Sequence, residues 1–242
     1  VSDTSAEQPP IRLGLLKRWG DVLLSAVALV LLLPVFVAVW CAVRLALGPP
    51  ALFAATRAGR DGRPIRVVKF RSMREAFGAD GRPLPDAERL GAFGRRLRRT
   101  SLDELPQLLS VLAGDMSIVG PRPLPTEYVP RYSQRQATRL RVRPGLTGWA
   151  QIHGRNAVDW PQRLEYDARY VEMLSTWRWP LVDLWIILAT AAQVLWQVAT
   201  GRGVSGPGAA TMREFFPEQP GAGQPDPLRP RPADEPGAAH RL

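Results

Sequence analysis

The sequence predicts an α+β fold: a compact, mostly helical domain with one small β-hairpin, seated on a re-entrant N-terminal membrane helix-hairpin and on interfacial amphipathic helices. Three observations predict it. From Val22 to Val43 the chain carries no charged residue, a run long enough for a membrane segment. One turn-centred stretch, Leu52 to Phe70, has the alternation of paired strands. Most of the remaining patterned segments have helical spacing.

The chain has 242 residues, of which 45% are apolar, enough for one core and a membrane element. Its formal charge of +10 comes almost wholly from arginine, since Lys17 and Lys69 are the only lysines. Such a surplus suits phosphate-rich partners or an anionic membrane face. The single cysteine, Cys41, excludes an internal disulfide and, inside an apolar run, reads as packed rather than reactive. His153 and His240, with no cysteine pair and no HExxH spacing, leave no basis for a zinc site.

Residues 1–11 are polar, contain Pro9-Pro10, and read as a disordered tail. Residues 12–48 form the membrane element. Lys17-Arg18 precede the apolar run, which is long and lacks a small-residue cleavage site, so it reads as retained and not as a signal peptide. Pro34 kinks it, leaving half-helices of roughly 18 Å and 14 Å, each too short for a hydrocarbon core of about 30 Å. Basic residues flank both sides, with Arg44, Arg57, Arg60, Arg63, Arg66 and Lys69 following the run. The positive-inside rule therefore wants both ends cytoplasmic, as a re-entrant hairpin provides, and a kinked spanning helix is the alternative.

Residues 49–199 form the second unit. Asp61-Gly62 turns the hairpin. After a turn-rich stretch at Gly78 to Pro85, Asp86 to Arg99 has helical spacing weakened by Gly91 and Gly94. The next helix is expected to start at Ser101 to Pro106 with a Ser101–Glu104 capping box and to close at Gly114. Glu127 to Val142 reads as mostly helical, Arg143 to Gly148 as a tight loop, and Trp160 to Ser175 as a helix. Trp177, Trp179, Trp185 and Trp196 bracket the apolar stretch Leu181 to Ala199, the pattern of an interfacial helix. Residues 200–242, rich in glycine, proline and alanine, read as a second disordered tail.

Adjacent acids at a helix start usually do no more than complement its dipole. Asp103-Glu104 differs in setting: Arg95, Arg98, Arg99, Arg122 and Arg143 lie nearby in sequence or in loops, and with free backbone N–H groups they make a place where a polyphosphate is held beside a carboxylate. For Arg95, Arg96 and Arg99 a solvated or lipid-facing position is the preferred reading. Three segments then carry a resemblance: Lys69-Phe70-Arg71-Ser72-Met73, the stretch TSLDELPQLLSVLAGDMSIVGPRP from Thr100 to Pro123, and RPGLTGWAQIHGRN from Arg143 to Asn156. In this order and spacing, over roughly residues 12–198, they resemble the bacterial sugar transferases known as monotopic phosphoglycosyl transferases.

The resemblance implies a ping-pong reaction at the cytoplasmic face of the inner membrane that begins a polysaccharide or glycoconjugate. Asp103 would attack the β-phosphate of a UDP-sugar, release UMP and carry the phosphosugar until a polyprenyl phosphate, undecaprenyl phosphate in most bacteria, takes it. Glu104 would assist the acceptor or, with Asp103, help hold Mg²⁺. Lys69, Arg98 and Arg122 would contact phosphate or nucleotide, Pro121-Arg122-Pro123 would shape the donor pocket, and Asp167 would support the site. Arg143 joins this set as a phosphate-binding candidate. Compact members of the family, which this chain resembles, often use amino- or N-acetylated sugars. Two departures stand out: Leu33 precedes Pro34 where the family often has serine, and Ala55 stands where glutamine is common. The alternative from another class is a non-catalytic, membrane-tethered basic protein binding lipid or nucleic acid. No nucleic-acid partner is expected on the leading reading, and oligomeric state leaves no trace in the sequence.

Overall fold

The computed structural model describes residues 11–154 and 158–201. The expected tails lie almost wholly outside these residues, as does Asn156.

Helix α1 (Ile11–Leu47) contains Pro34 and is helical on both sides of the position where the kink between half-helices was expected. Proline deletes its own hydrogen bond and leaves those of the turns on either side. Val39 and Val43, one turn apart, face the rest of the protein, while Val30 and Leu31 are 73% and 71% exposed. Cys41 is exposed and not packed, because it falls between those two inward valines on the outer side of the helix.

Strand β1 (Leu52–Ala58) pairs antiparallel with β2 (Pro64–Phe70), from Leu52 opposite Phe70 to Ala58 opposite Pro64, as expected. Asp61 and Gly62 take the left-handed conformations that the turn needs. The single helix expected over Asp86 to Arg99 is two, α2 (Asp86–Arg89) and α3 (Ala92–Arg99), parted at Leu90-Gly91. Gly94 has a packing role: a Cβ there would lie 1.8 Å from the Ser72 carbonyl oxygen, so only glycine lets α3 rest on that backbone.

Ser101 departs from its expected part. With φ of 56° it occupies the left-handed position after α3, where its N–H bonds the Arg98 carbonyl at 3.1 Å. It thus closes the preceding helix in the way glycine usually does, and the capping box does not form. Leu102–Glu104 make one 3₁₀ turn, and α4 (Gln107–Ala113) ends, as expected, on a left-handed Gly114.

A short parallel pair went unforeseen. Strand β3 (Ser117–Val119) lies beside β4 (Gly145–Thr147), within the stretch expected to be a tight loop. Three residues are too few for alternation to be visible. Residues 127–142 are likewise fragments, the 3₁₀ segments Thr126–Arg131 and Thr138–Arg141 flanking α5 (Gln134–Ala137), with Pro130 inside the first. Then come α6 (Trp149–Ile152), α7 (Trp160–Leu174) capped by Asp159, and α8 (Trp179–Thr200).

The main core gathers Val67, Val111, Met116, Ile118, Tyr170 and Ile186 from five elements and the residue before β3. A second cluster joins α1 to the domain through Val39, Val43, Ala51, Phe70 and Leu97. The start of α1 is docked too. Lys17 pairs with Asp183 on α8, and Arg18 donates to the carbonyls of Val111 and, at 2.7 Å, Leu112 at the end of α4. Asp21 accepts from Ser117 Oγ at 2.7 Å and Ile118 N at 3.1 Å. At the far end Arg71 donates to the Leu47 and Gly48 carbonyls, closing α1 with a cation where its dipole is negative. Helices α1 and α8 are both long and apolar enough to cross a membrane and are mostly unburied, with Trp177, Trp185 and Trp196 exposed along or beside α8.

Candidate active site

The 3₁₀ turn Leu102–Glu104 sets two carboxylates between β2 and the chain leaving β3. Lys69 Nζ, from the last turn of β2, meets Glu104 Oε1 at 2.6 Å, and Arg122 Nη2 meets the same oxygen at 2.7 Å. Burial opposes charge on Glu104, yet Arg122 and Lys69 overcome it and hold the acid well below the usual carboxylate range. Arg122 gains in turn, its pKa raised mainly by Glu104. Lys69 is pulled down by burial, with Glu104 opposing.

Asp103 is only 7% exposed, and its carboxylate accepts no hydrogen bond among the described residues. Burial, then the charge on Glu104, push its pKa up to about 6 against Lys69, Arg98 and Arg122. Arg98 is steadied by a 2.9 Å bond from its Nε to Ser72 Oγ. A buried carboxylate without a hydrogen-bond partner among the described residues, in a ring of cations, is poised to meet an anionic electrophile whose charge those cations neutralise.

The donor set also bears on a metal. Both cations converge on Glu104 Oε1, so Oε2 and the Asp103 oxygens remain available, and no third metal-binding side chain joins them among the described residues. That fits Mg²⁺, which binds through one or two carboxylates and takes the rest of its shell from water and substrate phosphate.

Of the residues singled out in the sequence, Lys69, Arg98, Asp103, Glu104 and Arg122 come together here, with Pro121 and Pro123 flanking Arg122. Asp167 lies behind them. It is 1% exposed and receives Arg139 Nε at 3.0 Å and Nη2 at 2.9 Å. The same Nη2 donates to the Arg122 carbonyl at 2.6 Å, and Nη1 reaches Tyr132 Oη at 3.0 Å. Arg139 therefore fixes the backbone that aims Arg122. Sequence reasoning missed it, since it is one of several arginines in its stretch and its partner is 28 positions away. Arg143 is elsewhere, its Nε bonded to the Gly114 carbonyl at 2.7 Å. Arg95 donates to the Leu90 carbonyl, Arg99 to that of Gly201, and Arg96 is exposed, none of them bonded to the dyad.

Comparison with known proteins identifies the family. The sequence profile described as "Bacterial sugar transferase" matches residues 13–197. An uncharacterized sugar transferase of Bacillus subtilis is 48% identical over 153 residues, 63% of this chain and 74% of that protein. The UDP-glucose:undecaprenyl-phosphate glucose-1-phosphate transferase of Escherichia coli is 43% identical over 173 residues, 67% of this chain but 37% of that longer protein. An enzyme of the same name from Caulobacter vibrioides is 40% identical over 201 residues, 77% of this chain and 72% of its own. With nearly all of the described domain matched, and the buried dyad inside the matched region, the chain belongs to the bacterial sugar transferase family.

Proposed function

We propose that this chain transfers a sugar phosphate from a UDP-sugar to undecaprenyl phosphate through a covalent phosphosugar on Asp103. The observation that carries the proposal is the buried Asp103 carboxylate, ringed by Lys69, Arg98 and Arg122 beside a Glu104 that occupies two of those cations. An Asp103 oxygen attacks the phosphorus that bears the sugar, the bond from that phosphorus to the bridging oxygen breaks, and UMP leaves with the electron pair. An oxygen of the polyprenyl phosphate then attacks the same phosphorus and expels the Asp103 carboxylate. The names of the Escherichia coli and Caulobacter relatives support this pairing of substrates and favour UDP-glucose as the donor over the amino- or N-acetylated sugars expected from the resemblance.

Glu104, held as a carboxylate, is a poor proton acceptor. The acceptor needs little help, because a phosphate monoester is largely ionised at neutral pH. We therefore assign Glu104 to balancing charge and, with Asp103, to holding Mg²⁺, which when bound would neutralise charge on the donor phosphates. The binding-protein alternative draws no support from a buried acid dyad.

The membrane seat is proposed to be re-entrant, with the catalytic domain at the cytoplasmic face of the inner membrane. Its support is that both ends of α1 dock on one body. A straight helix would part Arg18 from Leu47 by roughly 43 Å. Their docking points are linked far more closely, through Val67 and Val111 in one core cluster and about 13 Å of extended chain from Val67 in β2 to Arg71 just beyond it.

The deciding experiment incubates the detergent-solubilised full chain with undecaprenyl phosphate and a panel of UDP-sugars and reads UMP release. Turnover is expected with a UDP-hexose. Asp103→Asn should give neither turnover nor covalent labelling, and activity in that variant would refute the covalent route.

A further inference from the structure

Strand β2 and helix α4 each join the dyad to a second feature. Lys69 and Gln107 mark their dyad ends. Ile65 and Gly114 mark the others, about 13 Å away along β2 and about 10 Å along α4. Ile65 and Gly114 line an open cleft of about 320 Å³, together with three arginines (Arg60, Arg63 and Arg143) and two aspartates (Asp61 and Asp115). The volume is at the low end for ligand sites and suits a small polar group.

Arg143 is the fixed member. Its Nε is committed to the Gly114 carbonyl, and its two terminal nitrogens carry no hydrogen bond among the described residues. Its surroundings disfavour its charge, through burial first and then Arg18 and Arg60, with only Asp21 in opposition. Asp21 is itself taken by Ser117 and Ile118. Asp61 faces Arg60 at 3.6 Å, both open to solvent. Arg18, pinned to the end of α4, brings a fourth cation. With Arg18 and Asp21 counted beside the lining, four arginines against three aspartates (Asp21, Asp61 and Asp115) leave a net positive site, and arginine forks match the oxygens of a phosphate.

Position selects the source of that phosphate. Arg18 sits in the turn before the apolar run, beside Trp19, which is 71% exposed, and next to the exposed Leu15 and Leu16. The cleft therefore lies at the level where α1 enters the apolar phase.

We propose that the Arg60–Arg63–Arg143 cleft binds the phosphodiester head group of an anionic phospholipid whose chains lie along the start of α1. The proposal rests on the membrane seat inferred above and is independent of the chemistry at Asp103. The bound lipid fixes how the domain sits on the membrane surface, at a site apart from the donor and acceptor.

The test uses the full chain in detergent, titrated with short-chain phosphatidylglycerol, short-chain phosphatidylcholine or inorganic phosphate while the thermal midpoint is followed. Phosphatidylglycerol should raise the midpoint saturably, and each arginine removed in Arg60→Gln and Arg63→Gln should weaken its apparent affinity about fivefold. Both residues are exposed, and UMP release in lipid-free detergent should match that of the unaltered chain, which also reports that the variants are folded. Equal stabilisation by phosphatidylcholine or by inorganic phosphate would overturn the assignment, as would an affinity unchanged in the double variant. Because the readout is lipid binding, its failure leaves UMP release untouched, and a failure of the proposed reaction leaves the lipid result untouched.

Discussion

At neutral pH Asp103 carries its charge against its surroundings, since burial and Glu104 place its pKa at about 6. The attacking form is the carboxylate, so kcat/KM for the donor should climb with pH through about 6 and level off above it. Glu104→Gln removes one of the charges that raise this pKa and releases Lys69 and Arg122 toward Asp103. The acid limb of that variant should therefore move to lower pH, and a limb left in place would separate the two acids electrostatically. The linkage has a fixed sign. A carboxyl whose folded pKa lies above its unfolded value of 3.8 loses favourable protonation as pH rises, so Asp103 costs the fold about 3 kcal/mol once pH exceeds 6. Asp103→Asn should accordingly be more heat-stable than the parent at pH 7, though inactive. Arg139 acts through Arg122. Arg139→Lys keeps the charge on Asp167 but loses the fork that also reaches the Arg122 carbonyl. Donor turnover should fall roughly 10- to 100-fold, and the acid limb should rise as Arg122 withdraws, a shift that a purely structural loss would not cause. Lys69, Asp103, Glu104 and Arg122 were legible because they lie in contiguous motifs. Arg139 was not, because only folding brings it to Asp167, and nearness of Arg143 to the other motifs in sequence did not translate into nearness to the dyad.

Among the elements, long and strongly patterned segments were the legible ones. The hairpin, α7 and α8 follow from alternation or from a sustained apolar face, and Gly114 ends α4 as a glycine at that position should. The segments at 86–99 and 127–142 broke where helical spacing coexisted with glycine or proline, and there tertiary contact decided. Gly94 shows why: its absent side chain is the condition for α3 to lie on Ser72, which in turn holds Arg98. Helix α1 carries the prediction at this scale. Docked at both ends on one domain, it should leave a tag at the N-terminus and a tag inserted after Gly48 on the same, cytoplasmic side. Labelling in intact cells with a membrane-impermeant reagent checks this, and a periplasmic N-terminus would refute the re-entrant seat.

For the molecule as a whole, the seat and the site are built from shared parts. Phe70, between Lys69 and Arg71, packs against Val39 and Val43, so one short segment belongs at once to the strand that serves Glu104 and to the contact that holds α1. None of this could be read from the sequence, where the membrane run and the Lys69 motif are separate signals with a hairpin between them. Arg71 gives that arrangement a physical consequence. Its guanidinium terminates α1 on the Leu47 and Gly48 carbonyls, two residues beyond the lysine that grips Glu104. A helix seated in a bilayer answers hydrophobic mismatch by tilting, and a tilt of α1 draws on Arg71 and so on Lys69. Acyl-chain length should thus enter the rate: in nanodiscs of increasing thickness, UMP release should pass through an optimum that Arg71→Gln flattens, and a rate indifferent to thickness in the unaltered protein would sink the coupling. Lipid length would then be a variable of the active site itself.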